Sequence, residues 1–208
     1  MKFNLLIGII GIFMLTGCSS TRITHAWKAD SLPAKKYNKI LVVGLVPGDE
    51  RNLRGKMENH FTGDLVSKGY TAISSLKEYG SGSFQKMTEE AVVNQLHSSG
   101  VDAVITIVLL DKKRERYYVP ARVYYSPYAV YHNYFWGYYN TINGRINGPG
   151  YYQTDTRYFW ECNFYDMESK QLLYAVQTVS FDPGSAETLA HEFGEKITGD
   201  MKKKGLIK

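Results

Sequence analysis

The chain reads as an α/β protein, an α+β sandwich whose mixed sheet of about five strands has a βαβαβ first half, then a β-hairpin and a C-terminal helix. Three observations predict it. The runs Ile40 to Val46 and Ala103 to Leu110 are continuously apolar, as in strands covered on both faces. Apolar residues recur every four positions in two segments, at Leu53, Met57, Phe61 and Leu65 and at Leu189, Phe193, Ile197 and Met201, each making one stripe on a helix. The spacing between the early strands suits right-handed crossovers, so their core is parallel.

Taken in order, Ile40 to Val46 forms a central strand, and Pro47-Gly48-Asp49 leads into the first helix, which Gly69 can end at its C′ position. A second strand covers about Tyr70 to Ser74. Thr88 caps the next helix, with Glu89 and Glu90 near the positive end of its dipole and Gly100 just past its end. After the strand Ala103 to Leu110, the hairpin is Tyr158 to Tyr165, a polar turn at Asp166 to Lys170, and Leu172 to Ser180. Asp182-Pro183-Gly184-Ser185 breaks that strand and caps the last helix, where Lys202, Lys203 and Lys204 sit at the negative end before Gly205.

Residues 19 to 36 are polar, lack a period and hold Pro33, Lys35 and Lys36, so 18–36 reads as a tether ahead of a single domain over 37–208. Its Trp27 either folds back on the domain or lies at a headgroup interface. Thirteen of the 17 tyrosines fall between Tyr117 and Tyr165, and from Val123 to Thr154 the sole formal charge is Arg145. Within this Tyr-rich loop, 117–157, the candidate binding residues are Tyr124, Tyr125, Tyr128, Tyr131, Tyr134, Phe135, Trp136, Tyr138 and Tyr139. Such rings make contact area at low entropy cost, stack on sugars and sit at membrane interfaces. The plain alternatives are a long hairpin whose tyrosines cover the sheet, or a low-complexity loop. Lys112 to Arg116 reads first as a solvated strand end.

The formal net charge of +5 suits anionic headgroups or acidic envelope groups, and no nucleic-acid motif accompanies it. Enzyme patterns are incomplete. Gly44 and Gly48 precede no G-x-x-x-x-G-K-[ST], so no phosphate cradle is indicated. Ser83-Phe84-Gln85-Lys86 matches S-x-x-K without its partner motifs. His191-Glu192 begins a zincin-like pattern, but Glu195 stands where the second histidine belongs. His25, His60, His97, His132 and His191 are scattered, and no cofactor or metal is expected. Cys162, beside Trp160 and Phe164, reads as a small buried hydrophobe.

Phe3 to Leu15 is an apolar run behind Lys2, too short for a hydrocarbon core that needs about 20 apolar residues. It ends in Leu15-Thr16-Gly17-Cys18, which resembles the lipobox of bacterial lipoproteins. That resemblance implies that 1–17 is a signal peptide and that Cys18 carries diacylglycerol on its thiol, with the freed amine usually acylated too. Ser19, where the enteric inner-membrane retention signal has Asp, implies the outer membrane; the periplasmic face is the expectation there, with the cell exterior as its alternative. The element order, Lys39 to Leu45, Gly100 to Val104, the strand pair around Asp166 to Ala175 and the ending Lys203 to Ile207 resemble a family of uncharacterised bacterial lipoproteins. They are more distantly similar to the TolB amino-terminal domain and the curli-secretion lipoprotein domain. The resemblance implies a non-enzymatic envelope domain and supplies no catalytic residues. The expected function is therefore a lipid-anchored envelope module whose Tyr-rich loop contacts a protein partner or a second copy of itself. The alternatives are a peptidoglycan- or glycan-binding lipoprotein and, last, an envelope hydrolase.

Overall fold

The computed structural model describes residues 19–82, 84, 87–119 and 151–207. In chain order the strands are β1 (Thr21–Lys28), β2 (Lys39–Leu45), β3 (Thr71–Ser74), β4 (Ala103–Val119), β5 (Tyr151–Asp166) and β6 (Leu172–Phe181). The helices are α1 (Arg51–Ser67), α2 (Ser75–Tyr79), α3 (Glu89–Ser98) and α4 (Ala186–Lys203), with a short 3₁₀ turn at Gly48–Glu50 before α1. The strands form one mixed sheet in the order β1-β6-β5-β4-β2-β3. Its α/β class is the one the sequence predicts.

The parallel half follows from the apolar runs. β2 lies between β3 and β4 and runs parallel to both, with Leu41 opposite Ile73 and Val104. Its alternate residues enter different cores, which is why the run is unbroken. Ile40 and Val42 join the stripe Leu53, Met57, Phe61 and Leu65 of α1 and the stripe Leu189, Phe193, Ile197 and Met201 of α4. Leu41 and Val43 pack with Leu96 of α3 and with Val101. Trp160 bridges β5 to α4, its ring 5.8 Å from that of Phe193. Each such fully buried large side chain contributes on the order of 1.5–3 kcal/mol.

The helix ends use the expected chemistry. The side chains of Thr88 and Ser185 accept from the amides of Ala91 and Thr188, and Ser74 does the same for Lys77 in α2. Gly69 and Gly100 take φ of 84° and 73°, left-handed turns that return the chain to the sheet.

Three readings are corrected. The sheet has six strands, because residues 21–28, assigned to a tether, form β1 on β6, with Thr21 opposite Ser180 and Lys28 opposite Tyr174. An edge strand needs ladder hydrogen bonds on one side and little apolar surface, so its sequence carries no strong period; only Thr21 is buried. Trp27 stands on this strand, 51% exposed. β4 runs beyond Leu110 to Val119, with Lys112 to Arg116 on it as the solvated strand end expected, while Tyr117 to Val119 and Tyr151 to Arg157 belong to β4 and β5 rather than to a loop.

Two compact units emerge: one made of the chain through Lys112 together with Tyr158 onward, the other of Lys113–Arg157. The two cores described above belong to the first.

Candidate functional site

Cys18 and all nine candidate aromatics, Tyr124, Tyr125, Tyr128, Tyr131, Tyr134, Phe135, Trp136, Tyr138 and Tyr139, lie outside the described residues. The described part of the second unit is the pair of strand ends that leads to and from those aromatics. Alternation along β4 and β5 sets Tyr118 against Tyr152 edge to face, with ring centroids 5.4 Å apart. The Arg116 guanidinium lies 4.3 Å from the Tyr152 ring centroid, a cation–π contact. Gln153 donates to Asp155 at 3.0 Å, and Arg157 pairs with Glu115 at 3.2 Å. Tyr118, Tyr151 and Tyr152 remain 52%, 57% and 61% exposed. This surface can stack on planar or apolar groups and hydrogen-bond at its rim.

In the first unit, the crevice at the carboxyl end of β2 is where a parallel sheet commonly holds a ligand. Here it is filled. Glu58 of α1, fully buried, accepts from Gly44 N (2.8 Å), Arg54 Nε (2.9 Å), Ser74 Oγ (2.6 Å), Ser75 Oγ (3.0 Å) and Leu76 N (2.8 Å). Gly44 permits this approach, since a Cβ there would stand 2.8 Å from Arg54 Cγ and 3.0 Å from Glu58 Oε1. An acidic side chain thus occupies the position of a phosphate cradle. Sequence reasoning passed over Glu58, because its partners converge only through the βαβ crossover; the serine pair Ser74-Ser75 at a strand end was the available signal.

A groove of about 620 Å³ opens beside α1 and the start of α4. There Glu187 accepts from Lys56 and is hydrogen-bonded to His60, which holds its carboxyl below the ordinary value. The two histidines the sequence left scattered come together, with the His60 and His191 rings 6.0 Å apart. Asp64 sits behind them, its carboxyl pushed up by burial against the opposing charges of Lys68, His191 and His60. Its Oδ2 faces the backbone at Gly194, where a Cβ would come within 2.1 Å. Among the described residues, no serine, threonine or cysteine lines this groove, whose ionisable groups are Arg51, Lys56, His60, Asp64 and Glu187. Among the described residues no group of three or more His, Cys, Asp and Glu is placed to hold a metal.

Cys162 is fully buried in the core, and burial pushes its thiol up, out of reach of thiolate chemistry at neutral pH.

The start of the described chain is held firmly. Ser20 donates to Glu192 Oε2 through its backbone amide (2.7 Å) and its hydroxyl (2.6 Å), and its carbonyl accepts from Phe181 N at 3.0 Å. Thr21 Oγ1 then meets Ser180 Oγ at 2.7 Å in a buried contact. Glu192, which the sequence offered only as half of a failed zincin pattern, is in fact the clamp on the residues next to Cys18.

Among the described residues no helix is long and apolar enough to cross a membrane. No family model matches the chain, and no curated protein matches it. Its backbone is similar to that of lipoprotein GNA1162 from Neisseria meningitidis, at 14% identity over 80% of this chain and 99% of that one, with a TM-score of 0.44. It is also similar to PelC, solved as a dodecamer from Paraburkholderia phytofirmans, at 7% identity over 85% of this chain and 95% of that one, TM-score 0.42. Likeness at this level carries no assignment of activity.

Proposed function

We propose that this is a non-catalytic, lipid-anchored domain of the bacterial cell envelope, held by acyl chains on Cys18 at the periplasmic face of the outer membrane. Its Tyr-rich segment binds a protein partner or a second copy of the chain. Distant kinship with the TolB amino-terminal and curli-secretion lipoprotein domains belongs to this reading. The observation that carries the binding role is the contrast between the two candidate surfaces. The crevice at the end of β2 is plugged by Glu58, whereas Tyr118, Tyr151 and Tyr152 stand more than half exposed at the ends that lead to the aromatic segment. Exposed aromatic rings beside an arginine are the composition of protein-binding surfaces.

The test is crosslinking in cells from a photoreactive residue at Tyr134. A discrete protein adduct, lost when Tyr128, Tyr131 and Trp136 become Ala, supports the reading. Retention on purified peptidoglycan with no protein adduct would replace it by glycan binding. The anchor is tested separately by Cys18→Ala, which should abolish palmitate labelling and release the protein from membranes.

A further inference from the structure

A lipid on Cys18, as proposed above, would not hold a freely swinging domain, and this follows from the chain beside it. Consecutive Cα atoms are about 3.8 Å apart, so Cys18 stands within one residue of Ser19 and two of Ser20, wherever its own side chain points. Ser20 is fixed on three sides, by two hydrogen bonds to Glu192 and one from Phe181, and β1 begins at the next residue. Residues 21–28 of the expected tether are sheet, and the leash left between acyl chain and fixed backbone is two residues, about 7 Å at full extension.

A leash that short selects an end of the domain. β6 runs ten residues from Leu172 to Phe181, about 30 Å at strand rise. Its Phe181 end adjoins Ser20, and its Leu172 end adjoins Ala29, whose amide donates to Leu173 O at 3.0 Å. We infer that the anchor seats the first unit on the bilayer in one orientation, with the Phe181 to Ser185 turn and the start of α4 against the lipid headgroups and the Met167 to Lys170 turn some 30 Å above them. At the start of α4, Lys56 and His60 pair with Glu187, and the turn itself carries the acidic Asp182, so the pose comes from the covalent leash and not from a basic patch. Zwitterionic headgroups suffice as the surface.

The experiment places a fluorophore at either end of β6 in the full, acylated chain carrying Cys162→Ala. Gly184→Cys labels the near end, where an added side chain meets open space, and Glu168→Cys labels the far end, at a side chain that is 80% exposed. The proteins are reconstituted in phosphatidylcholine vesicles containing a headgroup spin label. The label at 184 is expected to be quenched several-fold more than the label at 168, with the ratio unchanged by high salt. Inserting about ten Gly and Ser residues between Cys18 and Ser19, which adds roughly 18 Å of flexible reach, should erase the difference. Equal quenching in acylated protein without the insert overturns the orientation and leaves the anchor standing. An N-terminal peptide whose mass lacks the diacylglycerol overturns both.

Discussion

Glu58 and Glu192 are helix carboxylates that each gather hydrogen-bond donors from distant parts of the chain, and they differ in what water can reach. Glu58 is wholly buried and accepts from five groups on α1, β2, β3 and α2. Glu192 is partly exposed and accepts from Ser19 and Ser20. In the low-dielectric crevice each lost partner leaves a polar group that water cannot rescue, whereas at the surface solvent replaces the bond. The same side chain therefore holds the fold together in one place and positions a terminus in the other.

Substitution at the buried carboxylate gives the largest effect. Glu58→Ala strands the amides of Gly44 and Leu76, two serine hydroxyls and Arg54, and it should cost about 3–5 kcal/mol in urea unfolding. A loss under about 1 kcal/mol would show that the network is not a keystone. Next comes Gly44→Ala, whose Cβ would press on Arg54 and Glu58 from the strand side; a cost of about 1–3 kcal/mol is expected in the same measurement.

Asp166 is intermediate, a carboxylate only 2% exposed at the β5–β6 turn and bonded to the half-buried Lys35 and to Ser169. Burial pushes its carboxyl up, but the hydrogen bonds from Lys35 and Ser169 prevail and hold it below the ordinary value. A folded-state value below the unfolded one, about 3.9, means a stabilising contribution that is full above that pH and is lost as pH falls through the depressed value. Asp166→Asn should accordingly flatten the acid limb of the stability–pH curve while changing little of its shape between pH 6 and 8. Acid unfolding that is the same in both proteins would place the linkage elsewhere.

The smallest expected effect on stability is that of Glu192→Ala, under about 1 kcal/mol, as for other exposed interactions. It should nonetheless speed tryptic cleavage at Arg22, because Ser20 loses two of its three restraints. A large stability loss would erase the contrast with Glu58.

Much of the fold was legible because it rests on local pattern. The unbroken run Ile40 to Val46 announced a strand buried on both faces, the four-residue stripes of α1 and α4 announced their inward sides, and Thr88, Ser185, Gly69 and Gly100 marked helix ends that the structure reproduces. β1 was illegible because an edge strand is placed by the hydrogen bonds of its neighbour, and Thr21 to Lys28 has almost no apolar face to betray it. Nor did the sequence set Glu192 beside Ser20, 172 positions away. The aromatic candidates between Tyr124 and Tyr139 and the cysteine at 18 lie beyond the described residues, so the structure bears on them through their flanks.

By itself the sequence determined that the run Ile40 to Val46 carries a buried strand, which faces of α1 and α4 turn inward and where Gly69, Thr88, Gly100 and Ser185 mark helix ends, since hydrophobic period and capping chemistry act over a few residues. Only the tertiary structure decided which carboxylate plugs the crevice, that the polar amino-terminal stretch is sheet, and how little free chain separates Cys18 from a fixed backbone. Those outcomes depend on groups brought together by chain crossovers, and a contact between remote residues leaves no periodic mark on either of them.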